Sequence, residues 1–248
     1  MTCAVCTPSL RQLLAVIVIT VVLGPSVPQE AAAQTTLGTG VSGDDARGFG
    51  ALLGDSLKLL MIEHGSRIAF QEKTRKELGG PFWSDYLHSV RVPPQWEDGD
   101  AWAVNYIGHP IHGAAAGYLW LDHERSAPQD FAPSKSYWAS RGRASIWSAV
   151  YSIQFEIGPL SEASIGNVGM DPRTTGWVDH VVTPTGAFGW MVAEDALDRY
   201  VVQKFEARTQ NKTARAAMRL LCNPGRGLSN AASGRSPWYR VGRPLDWR

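Results

Sequence analysis

The stretch 102–121, WAVNYIGHPIHGAAAGYLWL, decides the fold and carries most of the chemically interesting residues. Pro110 is typical of the first turn of a helix, where its missing N–H would have had no partner, so the sequence predicts a helix that begins near His109. Gly113 and Gly117 are four residues apart and share one face of that helix, with only alanines between them. This face predicts a close contact with another helix.

His109 and His112 are the only close pair of histidines in the chain. At a spacing of three residues on a helix, both rings can point into one cleft or toward one metal ion. The alternative is one capping histidine and one core histidine, because two histidines without a third ligand are a weak metal signal. The positive end of the helix dipole would keep His109 neutral and hence available as a base or a ligand.

A second unusual helix is predicted from about Ser134 to Glu156. Polar side chains recur along it at steps of three or four residues and form one stripe: Arg141, Ser145, Ser148, Ser152 and Glu156. Apolar residues flank the stripe on both sides. The stripe therefore either lines a cleft inside the protein, or its serines merely let two helices approach while Glu156 faces solvent.

The remaining segments complete the fold prediction. Apolar residues recur at helical steps from Phe49 to Ile68, and a further helix is expected from Lys212 to Cys222, with irregular chain beyond it. Thr183-Pro184 resembles the His109-Pro110 pair and predicts another helix start. That start is followed by Gly186 and Gly189, as further packing glycines, and by a long helix with Glu194, Asp195 and Asp198 exposed. No sustained alternation of apolar and polar residues is present, so the sequence predicts an all-α, single compact bundle of about five or six helices.

The N-terminus predicts export. An arginine precedes a short apolar run, and three alanines then offer a cleavage site, so residues 1–33 are interpreted as a signal peptide. We expect a flexible leader at 34–43, an acidic helical domain at 44–206 and a basic C-terminal helix and tail at 207–248 packed on that domain. Only Cys222 lies beyond the signal peptide, which excludes an internal disulfide in the mature chain.

The basic tail suggests two different roles. It carries nine lysines and arginines against one acid, Asp246, together with Trp238, Tyr239 and Trp247. Arginine and tryptophan favour an anionic membrane surface, but a basic tail can also neutralise an acidic body. An exported protein is not expected to bind nucleic acid. The sequence identifies no cofactor and does not address the oligomeric state.

Four motifs together resemble an uncharacterised family of exported bacterial cell-envelope proteins, a domain of unknown function. They are VNYIGHPIHGAAAGY, the serine helix ending in FEIGPLSEASIGN, DHVVTPTGAFGW, and NPGRGLSN with PWYR, and the likeness covers most of residues 102–240. The recurring positions of that family correspond to Asn105, His109, Pro110, Gly113, Glu156, Glu162, Asp179, Thr183 and Pro184. The resemblance implies a cell-envelope location and supplies no reaction.

Two functions are compatible with these patterns. The first is a helical envelope protein with a binding or structural role, peripheral to a membrane through its tail. The second is a periplasmic hydrolase or metal-dependent enzyme, in which His109 acts as a base, Asp179 orients it and Glu156 serves as an acid or ligand. In that case Asn105, His112, Ser148 and Ser152 would line the cleft. The chain lacks the G-x-S-x-G, H-E-x-x-H, phosphate-loop and dinucleotide motifs, which excludes the best-marked enzyme classes.

Overall fold

The computed structural model describes residues 48–70, 74–75, 78, 81–89, 95–124, 127–164 and 176–245. The predicted signal peptide, the leader and the first residues of the predicted helical domain lie outside these ranges. The longer helices are α1 (Phe49–Phe70), α2 (Phe82–Ser89), α3 (His109–His123), α4 (Lys135–Ile157), α5 (Val178–Leu197), α6 (Lys212–Cys222) and α7 (Pro224–Ala232). The chain stays helical after α5, through a π-helical turn at Asp198–Val202 and a short helix at Gln203–Glu206. All but α2 pack into one bundle, which confirms the all-α prediction.

Helix α3 lies at the centre of this bundle and contacts α1, α4, α5 and α7. A Cβ atom placed on Gly113 would lie 2.6 Å from the Thr183 carbonyl oxygen of α5, and one placed on Gly186 would lie 2.6 Å from Pro110 Cγ. The two helices are therefore close enough that only glycine fits at these contacts, as predicted. The prediction for Gly189 is wrong, because no atom lies within 4 Å of an added Cβ there.

Helix α3 begins at His109 with Pro110 in its first turn, as predicted, whereas Pro184 does not start a helix, contrary to prediction. The chain is already helical before Pro110, through a wide π-helical turn at Val104–Gly108 in which the His109 N–H donates to the Val104 carbonyl, five residues back. This wider turn accommodates a proline, which has no N–H and whose ring would clash with the carbonyl four residues earlier. Pro184 lies inside α5, six residues after the helix begins.

Helix α4 confirms that the polar stripe faces the interior. Ser134 caps the N-terminus of α4, because its Oγ accepts a hydrogen bond from the Tyr137 N–H at 3.2 Å. The stripe serines donate to backbone carbonyls of the neighbouring helices, Ser145 to Pro184 at 2.6 Å and Ser148 to Gly113 at 2.6 Å. These bonds fasten α4 to α3 and α5 through uncharged groups, so small serines do allow the helices to approach.

The apolar face predicted for α1 is only partly correct. Leu52, Leu60 and His64 are buried, and they pack with Leu59, which the periodicity did not include. Three other members of the predicted face are roughly half exposed: Leu53, Leu57 and Met61.

The acidic residues predicted to be exposed on α5 are instead buried, with Glu194 only 1% exposed. The Glu194 carboxylate accepts from the Gly225 N–H at 2.7 Å and the Arg226 N–H at 3.1 Å. It thereby caps α7, a helix that the sequence analysis described as irregular chain. Asp195 pairs with Arg141 at 2.7 Å and with Arg226 at 2.6 Å.

Further arginines of the C-terminal region return to the acids of the body. Arg219 pairs with Glu206 at 2.5 Å, and Arg240 pairs with Asp198 at 3.2 Å. Arg243 bridges both acids. The reason that the α5 acids are buried is therefore that the basic tail folds back over them. Among the helices described, none has the length and apolar character required to cross a bilayer.

Candidate metal centre

Three buried side chains from three different helices converge at one end of the bundle. They are His109 at the start of α3, Glu156 near the end of α4 and Asp179 in the first turn of α5. One imidazole nitrogen and one oxygen of each carboxyl group lie within 4.8 Å of one another. The three residues singled out from sequence as catalytic thus form one cluster.

The packing of the helices explains this convergence. Ser152 lies one turn before Glu156 and its Oγ donates to the Asp179 carbonyl at 3.4 Å, which ties the end of α4 to the beginning of α5. On the other side, Pro110 packs against Gly186, and this contact holds His109 against α5. The cluster is therefore built by the same small residues that bring the three helices together.

His109 uses its two ring nitrogens differently. Nδ1 lies 3.2 Å from the Thr183 hydroxyl, and Nε2 lies 3.3 Å from Asp179 Oδ1. When Nδ1 carries the proton and donates to Thr183, Nε2 presents its lone pair to the cluster. This differs from the arrangement expected from sequence, because Thr183 and not Asp179 takes the orienting position. Asp179 instead shares the side of the ring on which a metal ion would bind.

Burial keeps His109 neutral. Burial is the main reason that the pKa of the imidazole is lowered to about 3, and the neighbouring His112 and Arg67 contribute to the same shift. The sequence predicts that the positive end of a helix dipole keeps His109 neutral. The helical backbone continues N-terminal to His109, so the residue does not lie at the positive end, and this explanation is wrong. The contact between His109 and Asp179 is consequently not a salt bridge.

The two carboxyl groups hold protons more tightly than usual. Burial raises the pKa of Glu156 to about 7, against the lowering effect of Arg67 and His112. Burial also raises the pKa of Asp179 well above its ordinary range, and the nearby charges of Glu156 and Asp98 add to this shift. Without a bound cation, the state in which both Glu156 and Asp179 are ionised is therefore unfavourable.

Both carboxyl groups contain a buried oxygen without a hydrogen-bond donor. Glu156 Oε1 and Asp179 Oδ1 have no hydrogen-bond partner in the described part of the chain, although the two residues are only 6% and 5% exposed. Buried acceptors of this kind are rare in proteins. Two ligands bonded to one cation at about 2.1 Å lie about 3.0 to 3.4 Å apart, and the Nε2–Oδ1 distance falls in this range.

A second layer of polar residues supports Asp179. Asn105, which is 1% exposed, donates from Nδ2 to Asp98 Oδ1 at 2.7 Å. Asp98 in turn shares a side-chain hydrogen bond with Asp179, which contributes to the raised pKa of Asp179. Asp98 is not among the site residues predicted from sequence, because Pro93, Pro94 and Gly99 indicate that its segment is a connection between helices. The one available signal was its position a few residues before the helix that carries Asn105 and His109.

The structure places the other predicted cleft residues as follows. His112 lies beside the cluster, with its ring centroid 5.9 Å from that of His109. Ser148 donates to the Gly113 and Ala144 carbonyls, and Ser152 bonds to backbone, so both hydroxyls serve contacts between helices.

Helix α1 supplies two charged neighbours that sequence analysis did not identify. Arg67 pairs with Glu162 and lies close enough to Glu156 and Asp179 to interact with their charges. Glu63 contacts His112, with Nδ1 and Oε1 3.0 Å apart. Glu63 and Arg67 are four residues apart on the helix, a spacing that would have indicated a shared face.

One neutral imidazole and two carboxylates form a ligand set suited to a divalent cation such as Zn²⁺ or Mn²⁺. The set resembles the catalytic type of site, in which three protein groups leave a coordination position for water. No protein-family model, curated protein or solved structure matches this chain.

Proposed function

We propose that the protein is an exported, metal-dependent hydrolase whose divalent cation is held by His109, Glu156 and Asp179. The observation that carries this proposal is the convergence of one imidazole nitrogen and two carboxyl oxygens within 4.8 Å, in a buried position. The unpartnered oxygens of Glu156 and Asp179 support it, because a cation would supply the missing interaction for both.

The chemistry of such a centre follows from its ligands. A divalent cation held there would lower the pKa of a bound water to about 7 and polarise a carbonyl or phosphoryl oxygen. Thr183 would hold His109 in the tautomer that leaves Nε2 free for the metal. Asn105 would hold the carboxylate of Asp98 in place beside the centre. These roles make hydrolysis the reaction class that suits the residues best.

Metal analysis tests the centre directly. The purified protein is stripped with chelator and titrated with Zn²⁺ and Mn²⁺ by calorimetry, and bound metal is counted by mass spectrometry. We expect one equivalent per chain. His109→Ala and Glu156→Gln should weaken binding by more than the roughly 10- to 100-fold that loss of an outer hydrogen-bond partner costs, with helical content unchanged. The matched control is Glu97→Gln, because Glu97 is an exposed carboxylate outside the proposed ligand set.

Activity is tested separately on the metal-loaded protein, with a panel of esters, phosphoesters, amides and glycosides. Hydrolysis that disappears in both variants and persists in Glu97→Gln supports the proposal. A protein that binds one metal ion but is inert to the whole panel contradicts the hydrolase assignment. A wild type that remains metal-free contradicts the centre itself.

We also propose a cell-envelope location. It is supported by the leader at residues 1–33 and by the resemblance of the motifs to exported bacterial proteins. Expression in a bacterial host followed by fractionation and mass spectrometry should give a mature chain beginning at Gln34. Protein that retains Met1 and stays in the cytoplasm would contradict export.

Peripheral membrane binding is a second candidate function. The observation that favours it is the exposure of Leu221 and Val241, 71% and 63%, within the basic C-terminal region. Against it, several arginines of that region are engaged by buried acids, which supports neutralisation of the body instead. Co-sedimentation with vesicles containing anionic lipid tests this candidate. Binding that is lost in a Leu221→Ser, Val241→Ser double variant would support it, and no binding at low salt would exclude it.

A further inference from the structure

Several aromatic side chains are exposed at the end of the bundle that holds the proposed metal centre. Trp96, Trp102 and Trp177 are 47%, 67% and 51% exposed, although tryptophan is a highly buried residue on average. Tyr106 and His180 lie beside them and are half-buried. We call these five residues the aromatic surface.

Contacts join the five residues to one another. The rings of Trp102 and Tyr106 stack with centroids 5.6 Å apart, and the Trp96 Nε1–H donates to the Tyr106 hydroxyl at 3.4 Å. The Trp96 carbonyl accepts at 3.0 Å from the backbone N–H that follows Trp177, which brings these two segments together. The ring of Trp177 in turn meets that of His180 edge-on, with centroids 5.8 Å apart. The aromatic surface is therefore continuous.

The aromatic surface adjoins the proposed metal centre. Trp177 and His180 flank the ligand Asp179 in the sequence. Trp96 lies two residues before Asp98, which shares a side-chain hydrogen bond with Asp179. None of the five aromatic residues belongs to the ligand set. A molecule that lies on the aromatic surface would therefore reach the centre without displacing a ligand.

The charge of this region restricts what can bind there. The segments 95–108 and 176–180 contain four acids and no lysine or arginine. Burial lowers the pKa of His180, so its imidazole is neutral at pH 7. Arg67, whose charge acts on the centre, is paired with Glu162. Phosphate esters and anionic lipids would therefore be repelled, whereas an uncharged molecule would not.

The exposed indoles favour a saccharide among uncharged molecules. One face of a sugar ring presents C–H groups, which carry a small positive charge and are attracted to the negative face of an aromatic ring. The hydroxyl groups at the edge of the sugar can bond to the Tyr106 hydroxyl. A cage for an ammonium ion would enclose its ligand and bury its rings, but Trp96, Trp102 and Trp177 are about half exposed. Flat, exposed rings suit a chain of several sugar units.

We propose that the aromatic surface binds an uncharged saccharide chain and presents it to the metal centre, so that saccharides are the substrate class of the hydrolase. The choice of substrate rests on the proposed metal-dependent function, whereas the binding of saccharide does not.

Calorimetry with a panel of neutral tetrasaccharides, built from glucose, mannose, galactose or N-acetylglucosamine, tests the binding. Trp102→Ala should lower the affinity by about 10-fold or more, and Trp102→Phe, which keeps a stacking ring, should retain most of it. The matched control is Trp138→Ala, because Trp138 is also exposed but lies about 27 Å along α4 from Glu156. Its affinity should equal that of the wild type.

Spectra of the indole N–H groups locate the bound saccharide. The signals of Trp96, Trp102 and Trp177 should shift on addition of the tetrasaccharide, while that of Trp138 should not. Failure of the whole panel to bind, or binding that Trp102→Ala leaves unchanged, overturns the proposal. Shifts produced at these tryptophans only by tetramethylammonium or by anionic vesicles overturn it as well.

The same titrations on chelator-treated and metal-loaded protein separate the two proposals. We expect saccharide to bind both forms, because the aromatic surface contains no metal ligand. A wild type that binds saccharide but no metal would overturn the metal-dependent function and leave the saccharide site in place. A wild type that binds metal but no saccharide would overturn the saccharide site and leave the metal centre in place.

Discussion

At the scale of one residue, Glu156 illustrates how the proposed metal centre affects the stability of the folded protein. Its carboxyl group is buried, one of its oxygens lacks a donor, and its pKa is raised to about 7. An ionised carboxylate in such a position destabilises the folded state unless a cation is bound. The residues proposed to bind metal are therefore expected to weaken the metal-free protein at neutral pH.

Replacement of Glu156 by glutamine should stabilise the metal-free protein. Between about pH 4.5, where the carboxyl ionises in the unfolded chain, and pH 7, the folded state retains a proton that the unfolded state loses, so wild-type stability falls as pH rises. Glutamine mimics the protonated form. In chelator, urea unfolding should show no gain for Glu156→Gln near pH 4 and a gain of about 3 kcal/mol above pH 7. Glu97→Gln should show no gain, and a pH-independent effect of Glu156→Gln would refute the account.

Metal binding should release protons for the same reason. The raised pKa values of Glu156 and Asp179 mean that the cation displaces protons when it binds, so apparent affinity should increase with pH. Calorimetry near pH 6 in two buffers of different ionisation enthalpy should report roughly one to two protons released per metal ion. Glu156→Gln should release fewer. Equal heats in both buffers would show that the carboxyl groups are already ionised.

At the scale of secondary structure, the close contact between α3 and α5 fixes the relative positions of His109 and Asp179. Gly113 faces the Thr183 backbone, while Gly117 faces the flexible side chain of Met191. Gly189, on the same helix as Thr183, faces open space. These three helical glycines therefore differ in the space around them and not in backbone conformation.

Alanine substitutions at these glycines should separate packing from helix propensity. Gly113→Ala places a methyl group against backbone that cannot move easily, so we expect a loss of about 3 kcal/mol or more. Gly117→Ala should cost less, since Met191 can change its rotamer. Gly189→Ala should raise stability by about 0.5 to 1 kcal/mol, because alanine favours the helix. Thermal unfolding gives this order, and equal effects at all three positions would contradict it.

The sequence patterns predicted which segments are helical better than they predicted the residue at which each helix begins. Residues that recur along one face identified α4 and its polar stripe, because periodicity reflects burial along a whole element. Pro110 marks the first turn of α3 correctly, but Pro184 lies inside α5, because a proline shows only that its own N–H is absent and not that a helix begins there. The wide turn at Val104–Gly108 depends on tertiary contacts that no local pattern records. The convergence of His109, Glu156 and Asp179 likewise required the packing of three helices.

At the scale of the whole molecule, the bundle is held to its C-terminal region by buried charges. Glu194, Asp195 and Asp198 accept hydrogen bonds or ion pairs from residues up to 45 positions later in the chain. Sequence analysis placed these acids on the surface, because a run of acids on a helix normally faces solvent. Their burial follows from partners in the tail, which the sequence alone could not pair with them.

Loss of one member of this network should lower the stability of the folded protein strongly. Asp195→Ala leaves the buried guanidinium of Arg141 without its partner, and breaking such a buried pair typically costs about 3 to 5 kcal/mol. Asp130→Ala, an exposed acid in the loop before α4, should change stability by less than about 0.5 kcal/mol. Urea unfolding of the two variants makes the comparison. A small effect of Asp195→Ala would mean that solvent reaches the pair.

The cap that Glu194 places on α7 also has a consequence for the order of events during synthesis. The donors for this carboxylate, at Gly225 and Arg226, leave the ribosome about 30 residues after it, and Arg240 and Arg243 follow later still. Until then Glu194 and Asp198 cannot be buried together with these partners. The nascent chain is therefore unable to complete this part of its core before the segment that carries Gly225 to Arg243 has been made.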